Sequence, residues 1–235
     1  NKSLFEGIIA TKPLCDTLKK VSIGANNVDQ KNSAISIIGP FGSGKSTSAY
    51  VAYHYLRNSI PNHLMCQLEE NDIRPTENMF HENEIAVLTG RKVSLNWHIS
   101  EVLEVKNDVV EEIRNKIESG EKLALIIDEF GKYLEYNSEN PENGDVYLLQ
   151  ELAELAQRSN GNFLLITIRH QALSAYFSSV KSKYINEWKK IQGRFSDIVH
   201  TTNLNETLKM FHSFFDKRFP NKTVNKLSSE ITNVF

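Results

Sequence analysis

A glycine-rich segment behind a short apolar run constrains the fold of this chain more than any other feature. Residues Gly39–Ser46 fit the pattern G-x-x-x-x-G-K-[ST] at every fixed position. The apolar run 34–38 precedes this segment, and residues 45–57 follow it with apolar side chains at helical spacing. A strand, a loop and a helix in this order let successive backbone N–H groups turn inward around a polyphosphate. The segment therefore predicts a phosphate-binding loop at the N-terminus of a helix.

Each part of this loop has an expected role in binding a nucleoside triphosphate. Lys45 adds a positive charge near the β- and γ-phosphates, and the Ser46 hydroxyl can ligate Mg²⁺. The positive end of the helix that begins near Lys45 strengthens the binding of an anion. The residues predicted to contact the nucleotide are Gly39, Pro40, Phe41, Gly42, Ser43, Gly44, Lys45, Ser46 and Thr47.

A second motif, Leu123–Glu129, combines a buried strand with two acidic residues. The apolar run 123–127 leads directly into Asp128 and Glu129. Asp128, at the end of a buried strand, can hold Mg²⁺ opposite the phosphate loop. Glu129, one residue further on, can orient and deprotonate an attacking water. We therefore predict Ser46 and Asp128 as metal ligands and Glu129 as the base of a hydrolytic reaction.

Apolar runs alternate with amphipathic segments along the chain, which indicates a parallel sheet with helices on both faces. The predicted fold class is α/β, a three-layer αβα fold with a central, mostly parallel sheet and the start of a helical region at the C-terminus. Strands are predicted at 34–38, 85–89, 123–127, 163–168 and 198–201, and helices at 3–22, 45–57, 94–104, 108–119 and 146–157. Between them, Leu64–Leu68 is predicted as a short strand, Asn71–Asn83 as an insertion loop and Asn137–Asp145 as a loop.

The length of the chain suits one such domain inside a longer polypeptide. A single α/β domain accounts for most of the 235 residues. We expect a helical or linker segment at 1–33, an ATPase-type core at 34–204, and the start of a C-terminal helical lid or a following domain at 205–235. The chain begins with Asn1 rather than methionine and stops soon after a helix-like segment, so we expect it to be trimmed.

Charge and cysteine content narrow the partners and the compartment. With 27 Lys and Arg against 29 Asp and Glu, no overall positive field attracts nucleic acid. A basic stretch at 181–194 leaves a contact with nucleic acid or a neighbouring subunit open, and a solvated helix face is the favoured alternative. Cys15 and Cys66 form no C-x-x-C pair, and no apolar run approaches the roughly 18 residues that span a bilayer. We expect a cytoplasmic protein without a membrane partner.

Together, the two motifs resemble those of P-loop ATPases with a catalytic glutamate, and the AAA+ and STAND classes in particular. Gly39–Ser46 is similar to their Walker A motif and Leu123–Glu129 to their Walker B motif. The resemblance implies a P-loop NTPase fold that binds ATP and Mg²⁺, hydrolyses ATP to ADP and phosphate, and works in a homo-oligomer or a larger complex. ATP is also favoured over GTP because no Asn-Lys-x-Asp motif, which reads guanine, occurs.

The resemblance also points to two further kinds of site residue. The fourth predicted strand lies where such proteins carry a polar sensor residue. The resemblance therefore implies a residue near the γ-phosphate at Thr167, Arg169 or His170, and His170 is the candidate for a catalytic role. The segment 193–195 is similar to one that in AAA proteins carries arginine fingers. Arg194 is therefore a candidate finger that acts on a neighbouring subunit's nucleotide. A surface salt bridge is the alternative for this residue.

The function that these features predict is a module that hydrolyses ATP to drive conformational change in a larger, oligomeric assembly. Two alternatives stay open: a slowly hydrolysing nucleotide switch of the STAND kind, and a DNA-handling ATPase that resembles Orc/Cdc6-type initiators. A small-molecule kinase is disfavoured because Glu129 has no obvious role there. The segments 128–135, 168–171 and 192–195 also resemble large prokaryotic ATPases linked to defence against phage.

Overall fold

A five-stranded sheet in which every neighbouring pair of strands is parallel forms the centre of the protein. The computed structural model describes residues 2–140, 145–171, 173–176, 190–201 and 208. The strands are β1 (Ala34–Ile38), β2 (Ile85–Thr89), β3 (Leu123–Asp128), β4 (Phe163–Arg169) and β5 (Ser196–Val199). Their order across the sheet is β2-β3-β4-β1-β5. The strand that leads into the phosphate loop, β1, therefore has a neighbour on each side.

Helices connect these strands, as parallel pairing requires. In the part of the chain that the structure describes, they are α1 (Lys12–Ala25), α2 (Lys45–Leu56), α3 (Asn62–Glu69), α4 (Leu95–Val102), α5 (Val109–Glu118), α6 (Gly131–Glu139), α7 (Asp145–Arg158) and α8 (Leu173–Tyr176). Short 3₁₀ turns lie at Lys2–Phe5, Gln30–Ser33 and Glu82–Glu84.

The two faces of the sheet bury separate apolar clusters, because successive side chains of a strand point to opposite faces. Ile35 of β1 and Ile166 of β4 pack with the apolar sides of α1, α2 and α3 on one face. Leu125 of β3 and Leu165 of β4 pack with α4, α5, α6 and α7 on the other. This three-layer arrangement confirms the predicted α/β fold class. It also explains why β3 and β4 read as continuous apolar runs, since both of their faces are covered.

The helix predicted at 3–22 is wrong over its first part: a 3₁₀ turn covers Lys2–Phe5, and α1 begins only at Lys12. Two further predictions about local structure are wrong. Leu64–Leu68 lies in helix α3, not in a strand: Leu64 and Leu68, both fully buried, are four residues apart and therefore share one helical face. The predicted loop Asn137–Asp145 begins inside α6, which continues to Glu139 because Asn137 lies on the buried face of that helix. Helical spacing outweighed the polar composition of both segments.

Several predictions lie outside the described residues. Most of the C-terminal helical lid or following domain expected at 205–235 belongs to this group, as does most of the basic stretch at 181–194. The boundaries predicted for the three segments 1–33, 34–204 and 205–235 stay predictions. Within the described residues, α1 packs against β1, β4, β5 and α2, so this helix is part of the layer next to the phosphate loop.

Candidate nucleotide-binding site

The loop between β1 and α2 has the backbone shape that phosphate binding requires. Gly42 and Gly44 have φ angles of 76° and 80°, in the left-handed region that glycine adopts without steric cost. Gly44 is also the N-cap residue of α2, directly before its first helical residue. Ser46 and Thr47 lie exposed in the first turn of this helix, where the unpaired N–H groups of the helix face an anion.

Lys45 lies across the concave side of this loop. Its side chain is 5% exposed, and Nζ donates a hydrogen bond to the Pro40 carbonyl oxygen at 2.6 Å. Burial lowers the pKa of the Lys45 ammonium, while the nearby Asp128 carboxylate opposes this by raising it. The two sequence motifs, 84 residues apart in their start positions, are thus close enough in space for their charged groups to interact.

Asp128 and Glu129 lie at the carboxyl end of β3. The Glu129 backbone N–H donates to Asp128 Oδ1 at 2.7 Å, which fixes the first carboxylate next to the second residue. Glu129 has a φ of 50°, a left-handed backbone that is uncommon outside glycine, asparagine and aspartate. Its carboxylate forms an ion pair with Lys132, one helical turn further on in α6.

The end of β2 fits closely against this turn. The Gly90 N–H donates to the Asp128 carbonyl oxygen at 2.8 Å, and a Cβ atom added at Gly90 would lie 2.1 Å from the Glu129 carbonyl oxygen. Only glycine therefore permits this approach. The backbone of Glu129 is held from the β2 side as well as by its own strand.

Of the residues implied for the sensor position, the structure brings His170 to the loop. Its ring stacks on that of Phe41, with 3.7 Å between the centroids. Burial and the charge of Lys45 lower the pKa of His170, and Glu129 and Asp128 oppose this. His170 is therefore surrounded by residues of both motifs, although the sensor role itself stays a prediction.

The other two residues have different contacts. Thr167 is buried inside the sheet, with its hydroxyl 3.1 Å from Ser36 Oγ on the neighbouring strand. Arg169 is 1% exposed and donates to Asp197 Oδ1 of β5 at 3.0 Å. This guanidinium links β4 to β5 across the end of β1, so its described partner is a structural one.

Arg194 lies at the opposite end of the sheet from the phosphate loop. It precedes β5, whose first residue, Ser196, is in register with Ile35 near the start of β1. The guanidinium donates to Glu154 of α7 through Nε at 2.9 Å and through Nη2. Since β1 contains five residues at about 3.3 Å each, Arg194 cannot reach the loop of its own chain. A finger role for Arg194 would have to act on another copy.

His200 contacts the phosphate loop and was missed by the sequence reasoning. It follows β5, is 1% exposed, and places Nδ1 3.2 Å from the Ser43 carbonyl oxygen. Its backbone N–H donates to the Ile38 carbonyl oxygen at 2.7 Å. The only signal in the sequence was its place at the end of the last predicted strand, because a lone histidine belongs to no motif.

The residues of this site fit a phosphate group and a magnesium ion. Ser43 Oγ and His170 Nδ1 are buried and have no hydrogen-bond partner among the described residues, as expected for polar atoms beside a charged ligand. The Ser46 hydroxyl and the Asp128 carboxylate are oxygen donors of the kind that Mg²⁺ prefers, and their role as metal ligands stays a prediction.

Comparison with known proteins gives the family. Residues 20–210 match the model of the nSTAND3 family, described as Novel STAND NTPase 3. The chain belongs to the Novel STAND NTPase 3 family. This family match spans both motifs and the whole sheet, and it makes the chain an NTPase module of the STAND type. The predicted resemblance to NTPases of the STAND class is thereby confirmed.

The family assignment rests on this match alone, and the other comparisons do not contribute to it. A solved structure described as the structure of C. elegans PCH-2 is similar to this Novel STAND NTPase 3 module, with a TM-score of 0.40 and 15% sequence identity over 85% of this chain. The chain spans 46% of that protein. The comparison with curated proteins gives no match. In the part of the chain that the structure describes, no helix combines the length and the apolar character that crossing a membrane demands.

Proposed function

We propose that this module binds ATP with Mg²⁺, hydrolyses it to ADP and phosphate, and uses the reaction to drive conformational change in a larger, oligomeric assembly. The proposal rests on one observation: Lys45 and Asp128 lie close enough for their charges to interact, and Glu129 is hydrogen-bonded to Asp128 directly beside it. A phosphate-binding cation, a metal-binding carboxylate and a second carboxylate at one sheet edge are what hydrolysis of a nucleotide needs. The role in defence against phage stays a prediction.

In this proposal, each residue has a separate task. The loop amides and Lys45 bind the β- and γ-phosphates, and Ser46 and Asp128 would hold Mg²⁺, which supplies positive charge against the phosphate oxygens. Glu129 orients an attacking water and accepts its proton. The placement of His170 against the loop supports a contact close to the γ-phosphate.

Steady-state phosphate release tests the hydrolytic role. We expect Glu129→Gln to retain nucleotide binding but to lower turnover by about 100-fold or more, as loss of a general base does. Lys45→Ala should instead weaken binding itself, because it removes the charge at the phosphates. The matched control is Glu135→Gln, the same change on a nearby exposed acid whose partner is Lys92. Equal turnover in the Glu129 and Glu135 variants would contradict the proposed base.

Arg194 can be tested by mixing two inactive variants. If Arg194 completes the site of a neighbouring copy, Lys45→Ala and Arg194→Ala should each be inactive alone and partly active when mixed. Some interfaces of the mixed assembly would then pair an intact loop with an intact arginine. Arg158→Ala serves as the control, since Arg158 is exposed and contacts the same Glu154. If the mixtures are no more active than their separate components, Arg194 does not act on the site of a neighbouring copy.

A slowly hydrolysing nucleotide switch is the second candidate function. The ion pair between Glu129 and Lys132 favours it, because it holds the carboxylate at the ammonium group and away from an attacking water. Tightly bound ADP after purification, together with turnover that stays low in the longest expressible form, would favour the switch. Turnover that rises cooperatively with protein concentration, with or without DNA, would favour the oligomeric ATPase.

A further inference from the structure

His200 lies where three separate parts of the chain meet. Its backbone continues β5, its Nδ1 lies 3.2 Å from the carbonyl oxygen of Ser43 in the phosphate loop, and its Nε2 lies 3.0 Å from Thr17 Oγ1 in α1. The contacts between His200 and these segments join residues more than 150 positions apart in the sequence.

The hydrogen bond to Ser43 determines the direction of a loop amide. In a trans peptide, the C=O and the following N–H point in opposite directions. A Ser43 carbonyl that faces His200 therefore turns the Gly44 N–H away from His200. Gly44, with its φ of 80°, has no conformational preference of its own that would fix this orientation, so the carbonyl contact supplies it.

The space around His200 is also closed on the loop side. A Cβ atom added at Gly39 would lie 2.5 Å from the His200 carbonyl oxygen and 2.9 Å from its Cβ. The first glycine of the loop thus permits the end of β5 to lie directly against it. A shift of His200 would have to move either the loop or the strand.

The proton positions at His200 involve Thr17. An uncharged imidazole carries one N–H, so it donates to the Ser43 carbonyl only when Nδ1 holds the proton. Nε2 is then an acceptor, which the Thr17 hydroxyl can satisfy by turning from the Pro13 carbonyl oxygen, 2.8 Å away. Burial lowers the pKa of His200; Lys45 of α2 acts in the same direction, and Asp16 of α1 and the backbone contacts oppose it.

We propose that His200 is a positioning residue of the phosphate loop, which holds the Ser43 carbonyl so that the Gly44 amide faces the phosphates. Thr17 favours the imidazole tautomer that this requires when its hydroxyl turns from Pro13 to donate to Nε2. His200 thereby connects the chain that follows β5, and helix α1, to the occupancy of the loop. The inference rests on the proposed function in that the ligand of the loop is a nucleotide phosphate.

Two substitutions separate positioning from packing. The amide nitrogen of His200→Asn lies as many bonds from Cα as Nδ1 does, so it can still donate to Ser43. The amide nitrogen of His200→Gln corresponds to Nε2, so it keeps only the contact with Thr17. Both variants remove the ring, and a role in packing alone predicts that they behave alike.

The first readout needs no nucleotide. Amide hydrogen exchange of a peptide covering residues 39–47 should be faster in His200→Gln than in wild type, whereas His200→Asn should stay close to wild type. Thr17→Val, which deletes the hydroxyl at nearly constant volume, should also speed exchange in this peptide. Equal exchange in the Asn and Gln variants would overturn the proposal.

The second readout is the affinity for a fluorescent ATP analogue, measured with the unfolding midpoint of each variant. We expect affinity to fall about tenfold in His200→Gln, the size that one buried hydrogen bond supports, and less than about threefold in His200→Asn. Affinities that follow only the unfolding midpoints would overturn the proposal. If wild type binds no nucleotide, the proposed function fails, while the exchange experiment still decides the role of His200.

Discussion

Glu129 combines a strained backbone with an engaged side chain. A left-handed glutamate costs free energy unless its surroundings hold it in place, and here β2 and the Asp128 carboxylate both do so. Strain of this kind is found where a side chain must point in one direction for function. In this structure, the side chain of Glu129 points toward Lys132, with which it forms an ion pair.

Release of Glu129 from Lys132 should speed hydrolysis. In Lys132→Gln, the carboxylate loses its ion-pair partner and becomes free to approach water, so turnover should rise by up to about fivefold, the range of an exposed ion pair. The change is measured as steady-state phosphate release at saturating ATP. The control is Lys92→Gln, which removes another exposed lysine, paired with Glu135 and Glu139. A fall in turnover would mean that Lys132 itself serves the reaction.

Gly90 should be intolerant of even one methyl group. In Gly90→Ala, the added Cβ meets a backbone carbonyl oxygen of Glu129 that has no flexible side chain to move. We expect the free energy of unfolding to fall by roughly 1–3 kcal/mol and turnover to fall as Glu129 shifts. Urea denaturation and phosphate release measure the two effects. Gly7→Ala, where nothing lies within 4 Å of the new atom, should leave both unchanged.

The residues of the two motifs could be predicted because the functional groups of each motif occupy consecutive positions in the sequence. Gly39–Ser46 and Leu123–Glu129 each contain a strand end and its functional groups. Lys132 and His200 could not be found in this way. Their roles depend on a left-handed turn at Glu129 and on the pairing of β5 with β1, neither of which leaves a local pattern.

Among the elements, helices α4 and α7 are joined by one buried carboxylate. Asp145, the first residue of α7, is 3% exposed. It accepts hydrogen bonds from Ser94 Oγ and Leu95 N at 2.9 Å each and from Asn96 N at 3.3 Å. It thus satisfies N–H groups at the start of α4 that have no partner within that helix.

Loss of this cap should destabilise the protein more than loss of an exposed one. Asp145→Ala leaves buried donors unpaired, so we expect the free energy of unfolding to fall by about 2–3 kcal/mol. Asp108→Ala, which removes the exposed cap of α5 at Glu111 N, should cost only about 1 kcal/mol. Urea denaturation of both variants provides the comparison. Equal losses would indicate that burial of the Asp145 carboxylate offsets the value of its hydrogen bonds.

The elements could be predicted wherever one face of a segment was apolar over its whole length. β3, β4 and α5 fulfil this condition. Their predicted bounds differ from the structure by one residue, at one end of each strand and at both ends of the helix. α3 and α6 do not, because in each the polar residues outnumber the buried ones. α3 packs on the sheet face that carries Ile166, and α6 packs on the face that carries Leu125. This packing makes both segments helical, and sequence spacing alone does not show where the faces lie.

At the scale of the whole molecule, four histidines that are fully or partly buried make stability depend on pH. Burial lowers the pKa of His54, His98, His170 and His200 below the ordinary value of 6.5. The folded protein therefore binds fewer protons than the unfolded chain once the pH falls below about 6.5. The stability contributed by these uncharged rings is complete above that pH and is lost as the pH falls through the lowered values.

We accordingly expect the free energy of unfolding to decrease between pH 7 and pH 5, measured by urea denaturation at several pH values. The Asp197 carboxyl acts in the opposite direction: burial raises its pKa from 3.8, although Arg169 counteracts this. Asp197 therefore affects the free energy of unfolding at the most acidic pH values of this series. A free energy that stays constant or rises down to pH 6 would contradict the assignment of uncharged buried histidines.

The sheet order determines when the site can form during synthesis on the ribosome. β1 has hydrogen-bonded neighbours only in β4 and β5 among the described strands, so Ile35 pairs with Ile166 and Ser196. Contacts this distant in sequence form slowly and late. Ser43 of the loop leaves the ribosome 157 residues before His200, so the loop remains without the support of β4 and β5 while these strands are still being made. A nascent chain thus carries its nucleotide motif well before it gains a nucleotide site.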